Sequence, residues 1–244
     1  MSVTIREQIT TQGLITYLDG AYSNSIVSGS LVWKDIMRLN TDTSLINGAS
    51  YNTSEYIGGV SFDGIDDYVS IPYNYALTNE PFAVEIWRKH VSSSVYLPGI
   101  LSCGNYLGSG AYGSPGWCIG YWNGIGTRIT AAVADSTGFN RYVNHFDVRS
   151  YSPFNSPQYI FFHRNTITQT MSLFINGVKQ SITLPNDVNI GGANRTSLQA
   201  YTWGSGGPTM FGSLYMVKLY YNVNFTDSEI LQKFTSTRER FGIL

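Results

Sequence analysis

Carboxylates are the first side chains to weigh in this sequence of 244 residues, because hard oxygen donors hold cations and paired acids drive hydrolysis. Asp63, Asp66 and Asp67 crowd one short stretch around Gly64, and Asp19 precedes another glycine. Calcium takes about six to eight oxygens, several of them carboxylates. Asp19, Asp63, Asp66 and Asp67 are therefore the candidate ligands, with calcium as the candidate cofactor. The same side chains also accept hydrogen bonds from turn N–H groups, which is the favoured role.

Aromatic rings are the second source of chemistry. The stretch Asn105–Trp117 is rich in Gly and Tyr and reads as a long loop. Loops beyond about 12 residues without regular structure are usually functional or disordered. Tyr106, Tyr112 and Trp117, joined by Trp122 and Trp203, are the candidate ligand-binding residues. Their faces can stack on sugar rings or anchor a protein interface. The competing role is packing on the edge of the fold.

Other catalytic patterns are missing. Retaining glycoside hydrolysis needs two carboxyl groups roughly 5 Å apart. The glutamates are Glu7, Glu55, Glu80, Glu85, Glu229 and Glu239, and none makes a Glu-x-Asp-x-x-Glu pattern that would set two catalytic acids on one strand. Glu85 reads as a strand residue satisfied by a neighbour. His90, His145 and His163 lack metal-ligand spacing. No nucleophile-elbow motif is present. The expectation is a protein that is not an enzyme. Cys103 and Cys118 form no disulfide framework, and buried thiols are favoured over a single bridge. Asn52, Asn194 and Asn224 begin formal glycosylation sequons, read as chance.

Only 13% of residues are charged and the net charge is -1, which argues against nucleic acid as a partner. The 18 tyrosines suit half-buried sheet surfaces and interfaces. The N-terminal stretch is polar, with no secretory signal, and no segment is apolar enough to enter a membrane. A protein acting outside a cell would then leave by another route, such as release of a virus particle by lysis.

The elements that must position these side chains are mostly strands. Residues 1–12 read as a polar arm, and 13–244 as one domain. Leu14–Leu18 is the first strand, followed by a loop-rich region anchored by Trp33-Lys34-Asp35. Gly58–Pro72 reads as two short strands around a tight turn. Val60 and Phe62 share one side of the first, and Val69 and Ile71 one face of the second. Phe82, Val84 and Ile86 alternate with Ala83, Glu85 and Trp87. Asn176-Gly177 between apolar runs predicts a type I′ hairpin. In Phe211–Tyr221, simple alternation puts Leu214, Met216 and Lys218 on one face, and Tyr215, Val217, Leu219 and Tyr221 on the other. Thr226 and Glu229 form a capping box that starts a helix, with Ile230, Leu231 and Phe234 as its buried stripe. The fold class is all-β, a two-sheet antiparallel sandwich with one short C-terminal helix.

The order of these pieces resembles the laminin-G-like, concanavalin A-like jelly-roll family. The matching pieces are Leu18-Asp19, Trp33-Lys34-Asp35, Asn47-Gly48, Gly58-Gly59, Phe62–Val69, Val84–Trp87 and Leu173–Gly177, then the last strand and its capped helix. They span nearly the whole chain after Gln12. The ending Phe234–Gly242 looks like the tail of such domains in bacteriophage structural proteins. The resemblance implies a jelly roll that binds glycans or proteins, or builds surfaces. It points to a virion protein assembled in the host cytoplasm, decorating a capsid or forming a fibre. Its expected partners are other virion structural proteins, glycans and further copies of itself. The alternative is a carbohydrate-binding module for host-surface or extracellular glycans.

Overall fold

β-branched and aromatic residues in short alternating runs, punctuated by Gly, Asn and Asp, give a computed structural model whose regular elements are almost all strands. It describes residues 11–39, 42–54, 56, 58–72, 80–91, 99–103, 116–122, 128–134, 141–147, 155–184, 197–199 and 211–243. The early strands are β1 (Leu14–Asp19), β2 (Val32–Trp33), β3 (Thr43–Ile46), β4 (Ser50–Asn52), β5 (Gly59–Asp63) and β6 (Tyr68–Pro72). The middle strands are β7 (Phe82–His90), β8 (Gly99–Cys103), β9 (Gly116–Trp122), β10 (Arg128–Ala134) and β11 (Arg141–Asp147). The chain continues with β12 (Pro157–Asn165), β13 (Thr170–Ile175), β14 (Val178–Thr183), β15 (Ser197–Gln199) and β16 (Phe211–Tyr221). Helix α1 (Asp227–Arg238) and a 3-10 turn (Glu239–Phe241) close it.

The strands form two antiparallel sheets of eight, the expected sandwich. The first runs β14-β13-β12-β7-β16-β5-β4, with β1 also paired to β16. The second runs β11-β10-β9-β8-β15-β6-β3-β2. β5 and β6 therefore lie in opposite sheets. The sequence pattern suggested a hairpin, but Asp63–Asp67 is a corner that carries the chain across the sandwich. Val60, Phe62, Val69 and Ile71 still point inward, now from two facing layers.

The middle of the first sheet is buried on both faces, which makes β7 and β16 nearly continuous buried runs. Its inner face joins the second sheet through Phe82, Val84, Ile86, Phe162, Val217 and Leu219. Its outer face carries Tyr17, Trp87, Tyr159, Phe161, Tyr215 and Tyr220. The C-terminal elements cover that face. Phe241 stacks on Trp87 at 4.1 Å between ring centroids, and Trp87 Nε1 donates to Thr237 Oγ1 at 2.9 Å.

Two local expectations need correction. The register of β16 against β7 shifts between Leu214 and Met216. This bulge moves Met216 to the outer face with Tyr215, while Leu214 stays inside. On α1 the buried residues are Ile230, Phe234 and Thr237, and Leu231 is 41% exposed. The hairpin and the cap match expectation. Asn176 and Gly177 take φ 48° and 83°, as a type I′ turn requires. Thr226 N–H donates to Glu229 at 2.7 Å, and Glu229 N–H returns a bond to Thr226 Oγ1.

Candidate functional site

The acidic corner gathers three of the four expected aspartates. Single carboxylate oxygens of Asp63, Asp66 and Asp67 lie within 4.8 Å of one another. Asp67 Oδ2 accepts from Asp63 N–H at 2.9 Å, and Asp63 Oδ1 accepts from Ile65 N–H at 2.8 Å. Asn47 Nδ2 donates to the Asp66 carbonyl at 3.0 Å, which ties the corner to the β3–β4 turn. These are the turn-acceptor roles expected of such residues. Burial raises the Asp67 carboxyl above its ordinary range, and the neighbouring Asp63 and Asp66 charges push it the same way. Its Oδ1 is buried and accepts no hydrogen bond. The oxygens are of the type calcium takes, three of the number it needs.

Asp19 is not part of this group. It is fully buried, and Arg240 grips it with two hydrogen bonds of 2.7 Å. Tyr17 OH and Ala21 N–H complete its shell. A carboxylate so saturated is a structural anchor, which corrects its assignment as a calcium ligand.

The aromatic candidates separate in the same way. Trp117 is 2% exposed and stacks on Phe82 at 5.6 Å inside the sandwich. It therefore offers no face to a ligand, and its role is packing. Trp122 ends β9 opposite Arg128, and its side chain lies outside the described residues. Tyr106, Tyr112 and Trp203 lie outside them altogether. Cys118 is buried and in no disulfide. Glu85 is buried on the outer face of the first sheet, where Tyr220 OH donates to it at 2.7 Å. Lys218 and Lys233 approach Glu85 to 3.9 Å each, so its charge is balanced by neighbours, as expected of a structural strand residue, while its buried Oε1 accepts no hydrogen bond.

A cleft that the sequence reading did not single out opens between two turns near the N-terminal end of the described chain. Its volume is about 670 Å³, and it is lined by Tyr22, Ser23, Asn24, Lys34, Asp35, Ile36, Arg38 and Asp42. One wall is the turn after β1, closed by Ser25 N–H donating to the Tyr22 carbonyl at 2.8 Å. The other begins at Lys34. The walls are clamped together: Lys34 N–H donates to the Ser25 carbonyl, and Ser25 Oγ donates to the Lys34 carbonyl, both at 2.7 Å.

Asp35 builds the floor. Its Oδ1 accepts from Tyr17 N–H at 2.9 Å and from Met37 N–H at 3.0 Å, and its Oδ2 accepts from Leu39 N–H. The carboxylate thus folds residues 35–39 into a turn and pins that turn to β1. The turn holds Arg38 at φ 54°, a left-handed conformation uncommon for a residue with a Cβ. Tyr22 is 46% exposed and meets the Tyr17 ring edge-on at 6.2 Å. The cleft therefore combines an open aromatic ring, neutral donors and acceptors on Ser23 and Asn24, and charges of both signs. The signal that could have found it was Tyr22-Ser23-Asn24 beside Trp33-Lys34-Asp35, polar and aromatic residues on two facing loops.

No protein-family model matches the chain, and neither does any curated protein. Solved structures do. The binding domain of botulinum neurotoxin serotype D matches with a TM-score of 0.61 and 15% identity, over 92% of this chain and 51% of that one. Trypanosoma rangeli sialidase in complex with sialic acid matches at 0.63 and 14%, over 93% of this chain and 33% of that one. Domain 4 of an extracellular GH43 arabinanase from Geobacillus stearothermophilus, in complex with arabinotriose, matches at 0.59 and 15%. That match covers 90% of this chain and 97% of the domain. The chain spans about half the toxin binding domain and a third of the sialidase, but nearly the whole of the arabinanase domain. None of these three is a phage structural protein. The likeness establishes the fold, a lectin-like β-sandwich.

Proposed function

We propose that this chain is a non-enzymatic carbohydrate-binding module, and that the cleft between Tyr22 and Arg38 is its binding site. The observation that carries this reading is the cleft itself. Its volume of about 670 Å³ lies within the roughly 300–1,000 Å³ typical of small-ligand sites. The exposed Tyr22 ring can stack on the apolar face of a sugar. Ser23 and Asn24 can exchange hydrogen bonds with ring hydroxyls. The walls are held by backbone bonds, so little order has to be gained on binding.

The neighbours support the reading by analogy. The arabinanase domain, which matches over nearly its full length, is described in complex with arabinotriose. Analogy of fold alone does not carry function, so the site has to be tested directly.

A glycan array probed with the purified chain, followed by calorimetry on the strongest ligands, provides that test. Tyr22→Ala is expected to weaken binding about tenfold, the loss of one stacking contact. Absence of binding to every glycan, or unchanged affinity in Tyr22→Ala, would overturn the assignment. Release of new reducing ends from a bound glycan would overturn its non-enzymatic part.

A further inference from the structure

Resting on the carbohydrate-binding reading, we infer that the saccharide taken by the cleft carries an anionic group, held by Arg38 and Lys34. Both side chains are exposed and line the cleft, and neither makes an ion pair with another described residue. The Asp35 carboxylate is buried and turned inward onto backbone N–H groups. Among the described lining residues, Asp42 is then the one acid that faces solvent, against two cations. This arrangement is notable on a chain with 13% charged residues and a net charge of -1.

Arg38 is also fixed in place. Its own N–H donates to the Asp35 carbonyl at 3.0 Å, and the Asp35 side chain accepts from the residues on either side of it. A guanidinium can give the two parallel bonds that a carboxylate or sulfate accepts, and with the backbone set this way only the side chain is left to order. Lys34, just after β2 and clamped to Ser25, adds a point charge. Tyr22 stands beside them to take the sugar ring, so charge and ring are read together.

The anion has three common sources: a sialic acid, a uronic acid and a sulfate ester. Calorimetry with 3′-sialyllactose, digalacturonate and 3′-sulfolactose distinguishes them, with lactose and galactobiose as neutral counterparts. At least one acidic probe is expected to bind about tenfold or more tightly than its neutral counterpart, an advantage that shrinks as salt is raised. In Lys34→Gln and Arg38→Gln that ratio falls toward one. Arg38→Gly serves as a second variant. Glycine accepts this backbone conformation without strain, so loss of the preference there cannot be laid to misfolding. Equal affinity for acidic and neutral probes, or variants that keep the preference, overturns the inference and leaves the carbohydrate-binding reading intact. Binding of none of the sugars overturns both.

Discussion

Arg240 reaches back to Asp19 and holds its carboxylate with two parallel bonds of 2.7 Å. The pair joins the end of β1 to the 3-10 turn after α1, beside the cleft that begins at Tyr22. Removing one member leaves the other buried and under-satisfied, which typically costs about 3–5 kcal/mol. Arg240 is 18% exposed at its side chain and Asp19 keeps Tyr17 and Ala21 as donors, so Arg240→Ala belongs at the lower end. Urea denaturation should show a loss of about 3 kcal/mol. A change within a few tenths of a kcal/mol would mean that water replaces the guanidinium freely.

Phe241 seals the outer face of the first sheet by lying flat on Trp87, with 14° between the ring planes. Truncating a buried aromatic costs about 3–5 kcal/mol. Phe241→Ala should therefore lower stability by about 3 kcal/mol and make α1 more accessible to protease. Unchanged protection of α1 would show that Ile230 and Phe234 hold the helix alone.

Two buried histidines should make the fold acid-sensitive. Burial lowers His163 to about 4, partly offset by Asp227 and Glu229, and lowers His90 to about 3 with help from Arg88. His163 Nε2 accepts from Phe225 N–H at 3.2 Å, which requires the neutral ring. Below the unfolded value of 6.5 the unfolded chain binds protons that the folded chain refuses. Stability is thus fully present above about pH 6.5 and falls as pH drops toward 4, by about 3 kcal/mol for His163. His163→Gln should flatten this slope in denaturation curves taken across that range. An unchanged slope would assign the effect elsewhere.

The acidic corner gives a test with a sign. Asp67 is raised by burial and by like charges, so its ionised form works against the fold near neutral pH. Asp67→Asn keeps an acceptor for Asp63 N–H and removes that charge. Its melting temperature at pH 7 should be equal to or above that of the parent. A fall of several degrees would mean that the carboxylate's bond to Asp63 N–H outweighs the burial of its charge.

Features with short-range causes were legible in the sequence. Asn176-Gly177 and the Thr226–Glu229 box each act through neighbours a few residues apart, so pattern alone located them. Alternation in β7 separated Phe82, Val84 and Ile86 from Ala83, Glu85 and Trp87 correctly, because nothing interrupts that strand. In β16 one bulge broke the same logic. Pairing partners were not legible. The alternation of β5 and β6 suits a hairpin and a sheet-crossing corner equally well. Trp117 looked exposed because a glycine-rich run precedes it, yet its strand position turns it inward. Asp19 looked like a turn acid, and its partner lies 221 residues away. The cleft depends on Ser25 meeting Lys34 and on Tyr17 meeting Asp35, contacts that no local spacing announces.

β16 is the last strand in the chain, yet it sits inside the first sheet, bonded to β7 on one side and to β5 and β1 on the other. A chain emerging from the ribosome therefore makes those three strands long before it makes the one that joins them. Such long-range pairing slows folding, and unpaired strand edges invite association with other chains. Folding of this sheet is accordingly completed after translation has passed Tyr221. A chain cut short before Phe211 should accumulate as aggregate, because it carries three strands that share a missing neighbour.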